Sequence, residues 1–95
     1  MIIVLLRFSA NRDRAGALMQ AHKAWIDQGI RDGVFLLVGS LKPNLGGAIV
    51  AHGESLADLQ RRVELDPFVE HGVVSAEMLE VGLSKADERL GFLLA

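Results

Sequence analysis

The sequence predicts an α+β fold, a four-stranded antiparallel sheet covered by two helices on one face. Three observations predict it. Four short apolar runs rich in β-branched residues fall at 2–8, 34–41, 46–52 and 73–81, the length and composition of strands. Two stretches near 12–31 and 56–64 repeat their apolar residues at helical spacing instead. Their order along the chain, β-α-β-β-α-β, is the split βαβ or ferredoxin-like arrangement, in which strands 1 and 3 are neighbours at the sheet centre.

Strand 1 is apolar from Ile2 to Phe8 except at Arg7, as a strand covered on both faces should be. Ser9-Ala10-Asn11 forms a turn. Asn11 is a candidate N-cap for the first helix, and Asp13 falls early in it. Ala15, Leu18, Met19, His22, Trp25, Ile26 and Gly29 recur on one side of that helix, and Gly33 suits its C-terminal left-handed position. Strands 2 and 3 form a hairpin through Lys42-Pro43-Asn44. Ser55 and Asp58 form a capping-box variant before a second helix whose inward face is Leu56, Leu59 and Val63. Asp66-Pro67 ends it, because the residue before proline avoids the helical region. Ser84-Lys85-Ala86-Asp87 is read as a cap for one more short turn. The tail, 83–95, ends in Phe92-Leu93-Leu94 with no evident place in a monomer.

At 95 residues the chain fits a single domain. It is 51% hydrophobic, with a mean hydropathy of +0.31. That is rich for a domain small enough to bury only about two-thirds of its surface. Helices on one side leave the other face of the sheet bare, and that face is apolar. A homodimer pairing two such faces, with the tail packed at the interface, accounts for the excess. A net charge of −2 with no basic stripe argues against nucleic acid. No apolar run approaches the roughly 20 residues needed to cross a bilayer. The absence of cysteine and of a signal-like start leads to the expectation of a cytoplasmic protein.

His22 is the residue of greatest chemical interest. On an apolar helix face it is either a semi-buried core histidine or a general base able to take and return a proton near neutral pH. Asp66 is either a turn aspartate bonding nearby backbone N–H groups or a carboxylate that orients an imidazole. Ser40, beside Gly39, reads as a bulge marker or as a donor into a pocket. Arg7 reads as an anion-binding group or as an exposed edge or interface residue. His52 and His71 adjoin Gly53 and Gly72 and read as solvated turn residues. No histidine pair has metal-ligand spacing, so no metal site is expected. Gly46-Gly47 lacks the lysine and hydroxyl residue of a phosphate loop.

Several segments together carry a family resemblance. They are His22-Lys23-Ala24-Trp25, Asp32-Gly33-Val34-Phe35-Leu36-Leu37 leading to Gly39, Pro43 with Gly46-Gly47, and Asp66-Pro67-Phe68-Val69 with Gly72-Val73. In order and spacing the chain resembles the YCII-related (YciI-like) family over nearly its whole length. The resemblance implies a dimeric α+β barrel with a pocket in each subunit holding His22 and Asp66, with Trp25, Gly39, Ser40 and Phe68 nearby. It also implies cofactor-free proton transfer, by elimination or isomerisation, on a small ring compound. The chain departs from the family at Asn44, often arginine, at Ala76, often tyrosine, and in having Val38 and Ser40 around Gly39. Those differences leave the substrate open. A non-catalytic ligand-binding module and a purely structural dimer are the competing readings.

Overall fold

The computed structural model describes residues 1–94; Ala95, the last residue of the tail, lies outside them. Strands β1 (Ile2–Phe8), β2 (Phe35–Leu41), β3 (Gly46–Ala51) and β4 (Val74–Glu80) form one antiparallel sheet in the order β2-β3-β1-β4. Helices α1 (Ala15–Arg31), α2 (Leu56–Glu64) and the single turn α3 (Pro67–Glu70) complete the α+β ferredoxin-like arrangement. No described helix is long and apolar enough to cross a membrane.

Alternation along each strand sorts the residues by face. In register, Val4 stands between Ile49 and Met78, and Ile2 beside Ala51. Ile2, Val4, Leu6, Ile49 and Ala51 point to the helices and are buried, joined by Phe35, Leu59, Val63, Phe68 and Val73. Residues of the opposite phase, Ile3, Leu5, Leu37 and Leu79, lie on the bare face. Gly29 lets α1 approach the sheet, for a Cβ there would collide with the Phe35 ring.

Three local readings need correction. Asn11 does not cap α1. A short 3-10 turn at Arg12–Arg14 precedes the helix, and the Asn11 amide donates instead to the His71 carbonyl at 2.8 Å. That bond ties the β1 corner to the segment before β4. The irregularity in β2 falls between Phe35 and Leu37, not at Ser40, which pairs regularly with Gly47. Asp66-Pro67 ends α2 but also starts α3, because a proline is well placed in a first helical turn. Elsewhere the local chemistry reads straight through. Ser55 Oγ accepts the Asp58 N–H at 3.1 Å, and Gly33 takes a positive φ of 73°.

The tail forms a 3-10 segment, Glu88–Leu94, started by Asp87, which accepts the Arg89 N–H. Leu90, Phe92 and Leu93 share a groove with Met1, Leu36, Leu37 and Val50, so the tail returns to the margin of the bare face. Phe92 meets His52 edge to face at 5.5 Å.

Candidate active site

α1 carries His22 on the side facing the sheet, and α3 brings Asp66 to it from 44 positions away. As the N-cap of α3, Asp66 has extended backbone angles, and its Oδ1 accepts the Phe68 N–H at 3.0 Å. The same oxygen lies 2.7 Å from His22 Nδ1. A carboxylate oxygen accepts and does not donate, so the imidazole contact is read as Nδ1–H donating to Oδ1. Asp66 is fully buried, and the His22 side chain is 12% exposed. Asp66 Oδ2 is buried with no hydrogen-bond partner among the described residues.

Aromatic rings fix the imidazole. The Phe68 ring stacks on it with centroids 3.9 Å apart and planes 3° from parallel. The Trp25 ring lies 5.9 Å away and meets Phe35 edge-on at 5.0 Å. Trp25 Nε1 donates to the Arg62 carbonyl at 3.0 Å, which pins the end of α2 against α1. Position and orientation of His22 are therefore set from two sides. With Nδ1 engaged, Nε2 is the ring nitrogen left without a protein partner among the described residues.

His22 opens onto a cavity of about 280 Å³ between α1 and the sheet. α1 contributes Met19, His22, Lys23 and Ile26 to it, and Phe68 comes from α3. Leu6, Phe8, Val38 and Ile49 form apolar walls on the sheet side. Gly39, Ser40, Gly46 and Gly47 also line it, and the paired glycines keep that region free of side chains. Gly46 is held at φ 133°, and a Cβ there would collide with the Leu6 carbonyl oxygen, so this residue type is dictated by space and backbone together.

The structure thus brings His22, Phe68, Gly39 and Ser40 together around the cavity, whereas Asp66, expected in the pocket, is buried outside its lining and reaches it only through His22. Trp25 adjoins His22 from outside the cavity lining, because its indole is spent on Phe35 and Arg62. Arg7 is not at the cavity. It belongs to the bare face of the sheet, where it pairs with Glu77 at 2.7 Å. Sequence reasoning missed Lys23, which borders the cavity, and Arg62. The Arg62 guanidinium binds both Glu54 oxygens, at 2.9 and 3.2 Å, and Asp32 at 2.9 Å. Those bonds raise its pKa, led by Glu54. They also hold the Asp32 carboxyl below its ordinary value, with the Arg62 hydrogen bond the main cause. Nothing in the spacing of Arg62 marks it off from a solvated helix residue. Among the described residues, no three His, Cys, Asp or Glu side chains converge in a metal-binding group.

Comparison with known proteins places this architecture. The structure of 5-chloro-2-hydroxyhydroquinone dehydrochlorinase from Burkholderia phenoliruptrix AC1100, in complex with 2,5-dihydroxybenzoquinone, is similar with a TM-score of 0.70. The match covers 88% of this chain and 96% of that chain at 17% identity, a likeness of fold. No curated protein matches the chain. The model of the YCII-related domain matches residues 1–80, from the first strand to the end of the fourth. The chain is a member of the YCII-related family.

Proposed function

We propose that the protein is a small cofactor-free enzyme in which His22 Nε2 moves a proton on a small ring substrate, in an elimination or isomerisation. One observation carries the reading. A histidine fixed by a buried carboxylate through Nδ1 lines an apolar cavity, and its Nε2 has no protein partner among the described residues. Nε2 takes a proton from an acidic C–H or O–H of the substrate. The electron pair left behind either expels a leaving group as an anion or shifts along the ring. In an isomerisation the imidazolium returns the proton elsewhere. Asp66 stabilises that imidazolium through Nδ1–H and keeps the ring in its productive tautomer. The apolar walls exclude water, which strengthens each electrostatic contact. The structurally similar protein is a dehydrochlorinase of a chlorinated hydroxyhydroquinone, and loss of hydrogen chloride from a ring is an elimination; the cavity of about 280 Å³ lies near the lower end of the range for ligand sites, about 300 Å³.

The working unit in this proposal is a homodimer in the cytoplasm. Support for the dimer is the apolar bare face, with Leu37 66% and Leu79 44% exposed, bordered by the tail. Support for the compartment is the cysteine-free composition.

A panel of halogenated and unsaturated hydroxylated rings, followed by ultraviolet absorbance and halide release, tests the enzyme reading. Turnover that falls about 100-fold or more in His22→Gln is the expected result. Ligands that bind at His22 without any turnover across the panel would make the site a binding module instead.

A further inference from the structure

We propose that Lys23 is a specificity-determining residue that selects ring ligands carrying an ionised oxygen, a carboxylate or an enolate. The inference rests on the reading of the cavity as a ring-binding site and goes beyond it by naming the charge of the ligand.

Two observations lead to Lys23. Among the described residues it is the only Lys or Arg lining the cavity, and no Asp or Glu among them lines it. None of the ion pairs among the described residues involves it, so no internal carboxylate holds its charge. The lining is otherwise apolar apart from His22, Ser40 and the backbone of the glycines. Lys23 is exposed and also lines the cavity, and its flexible four-carbon stem lets the ammonium reach over the opening. A neutral ring would gain nothing from it. A ring anion seated against the apolar walls would meet a cation with no internal competitor.

Adjacency on α1 gives the arrangement a chemical sense. His22 and Lys23 are consecutive, so one helical turn presents a base toward the interior and a cation toward the opening. A substrate held by an ionised oxygen at Lys23 would present another part of its ring to His22 Nε2. Binding and proton transfer then use separate atoms of one small molecule. Ser40, on the β2 side of the cavity, is the remaining hydroxyl able to donate to it.

The probes are 2,5-dihydroxybenzoquinone, which ionises in neutral water, and its uncharged dimethyl ether, 2,5-dimethoxybenzoquinone. Binding is measured on the full chain by calorimetry, and NMR shifts of the His22 and Phe68 rings report occupancy of the cavity. The expected result is that the anion binds about tenfold tighter than the ether, a gap of about 1.4 kcal/mol. That gap narrows with added salt. Lys23→Met should abolish the preference by weakening the anion alone, and Lys23→Arg should keep it. If both probes shift the cavity rings but wild type shows no preference, or Lys23→Met retains it, the role of Lys23 is overturned and the cavity reading stands. If neither probe shifts those rings at millimolar concentration, the ring-binding reading fails and the inference falls with it.

Discussion

The two faces of one sheet differ in how far this chain completes them. Under the helices, Val4, Ile49 and Val73 are sealed from solvent, and a polar pair sits beside a cavity among them. On the bare face the sheet exposes Leu37 and Leu79 to solvent, with the Arg7–Glu77 pair the main polar feature. Hydrophobic pattern alone does not separate these faces, since both are apolar. Connectivity does, because both crossovers put their helices on the same side. The covered face has a fixed geometry able to position a proton-transfer group, and the bare face is left open, the surface on which the proposed dimer would form.

Substitutions in the two faces should therefore fail differently. Ile49→Ala empties a fully buried site and should lower folding stability by about 2–5 kcal/mol in urea titration. A loss under about 1 kcal/mol would mean that the core relaxes around the cavity. Gly46→Ala should cost about 1–3 kcal/mol, since it forces a side chain into a left-handed position against the Leu6 carbonyl. Leu37→Glu should change folding by only about 0.5 kcal/mol, yet convert a dimer to a monomer by light scattering. Wild-type protein that is already a stable monomer at micromolar concentration would remove the assembly role from this face.

The smallest expected effect concerns acid. The pKa of Asp32 is lowered from 3.8 in the folded state, chiefly by its hydrogen bond from Arg62. Its folded-state preference for the charged form stabilises the protein above that value. The advantage fades as pH falls below 3.8 toward the folded pKa. Wild type should therefore exceed Asp32→Asn in melting temperature at neutral pH, with the gap closing in strong acid. A gap that stays constant through the acid range would show that the Arg62 contact is not felt in solution.

What the sequence made legible follows the same division. Element order, the helix faces and the Ser55 cap were readable because each depends on residues a few positions apart. The approach of His22 to Asp66 spans 44 positions, and no periodicity encodes it; only the resemblance to relatives pointed to the pair. Asn11 was misread because the side chain that would cap a helix serves equally to bond a distant carbonyl, here that of His71. Trp25 is expected near the pocket from the resemblance, whereas its indole N–H has a partner in Arg62 that is distant in sequence. Arg7 interrupts an apolar run, a signal shared by anion sites and by salt bridges on a strand face.

The account turns on which nitrogen of His22 is free. Long-range proton–nitrogen NMR of the neutral ring reads this directly, without a substrate. The arrangement predicts a proton on Nδ1, held by Asp66, and a lone pair on Nε2. In Asp66→Asn the amide can donate to Nδ1, and the tautomer should shift toward Nε2–H. A wild-type ring protonated at Nε2, or a tautomer indifferent to Asp66→Asn, would contradict a base facing the cavity.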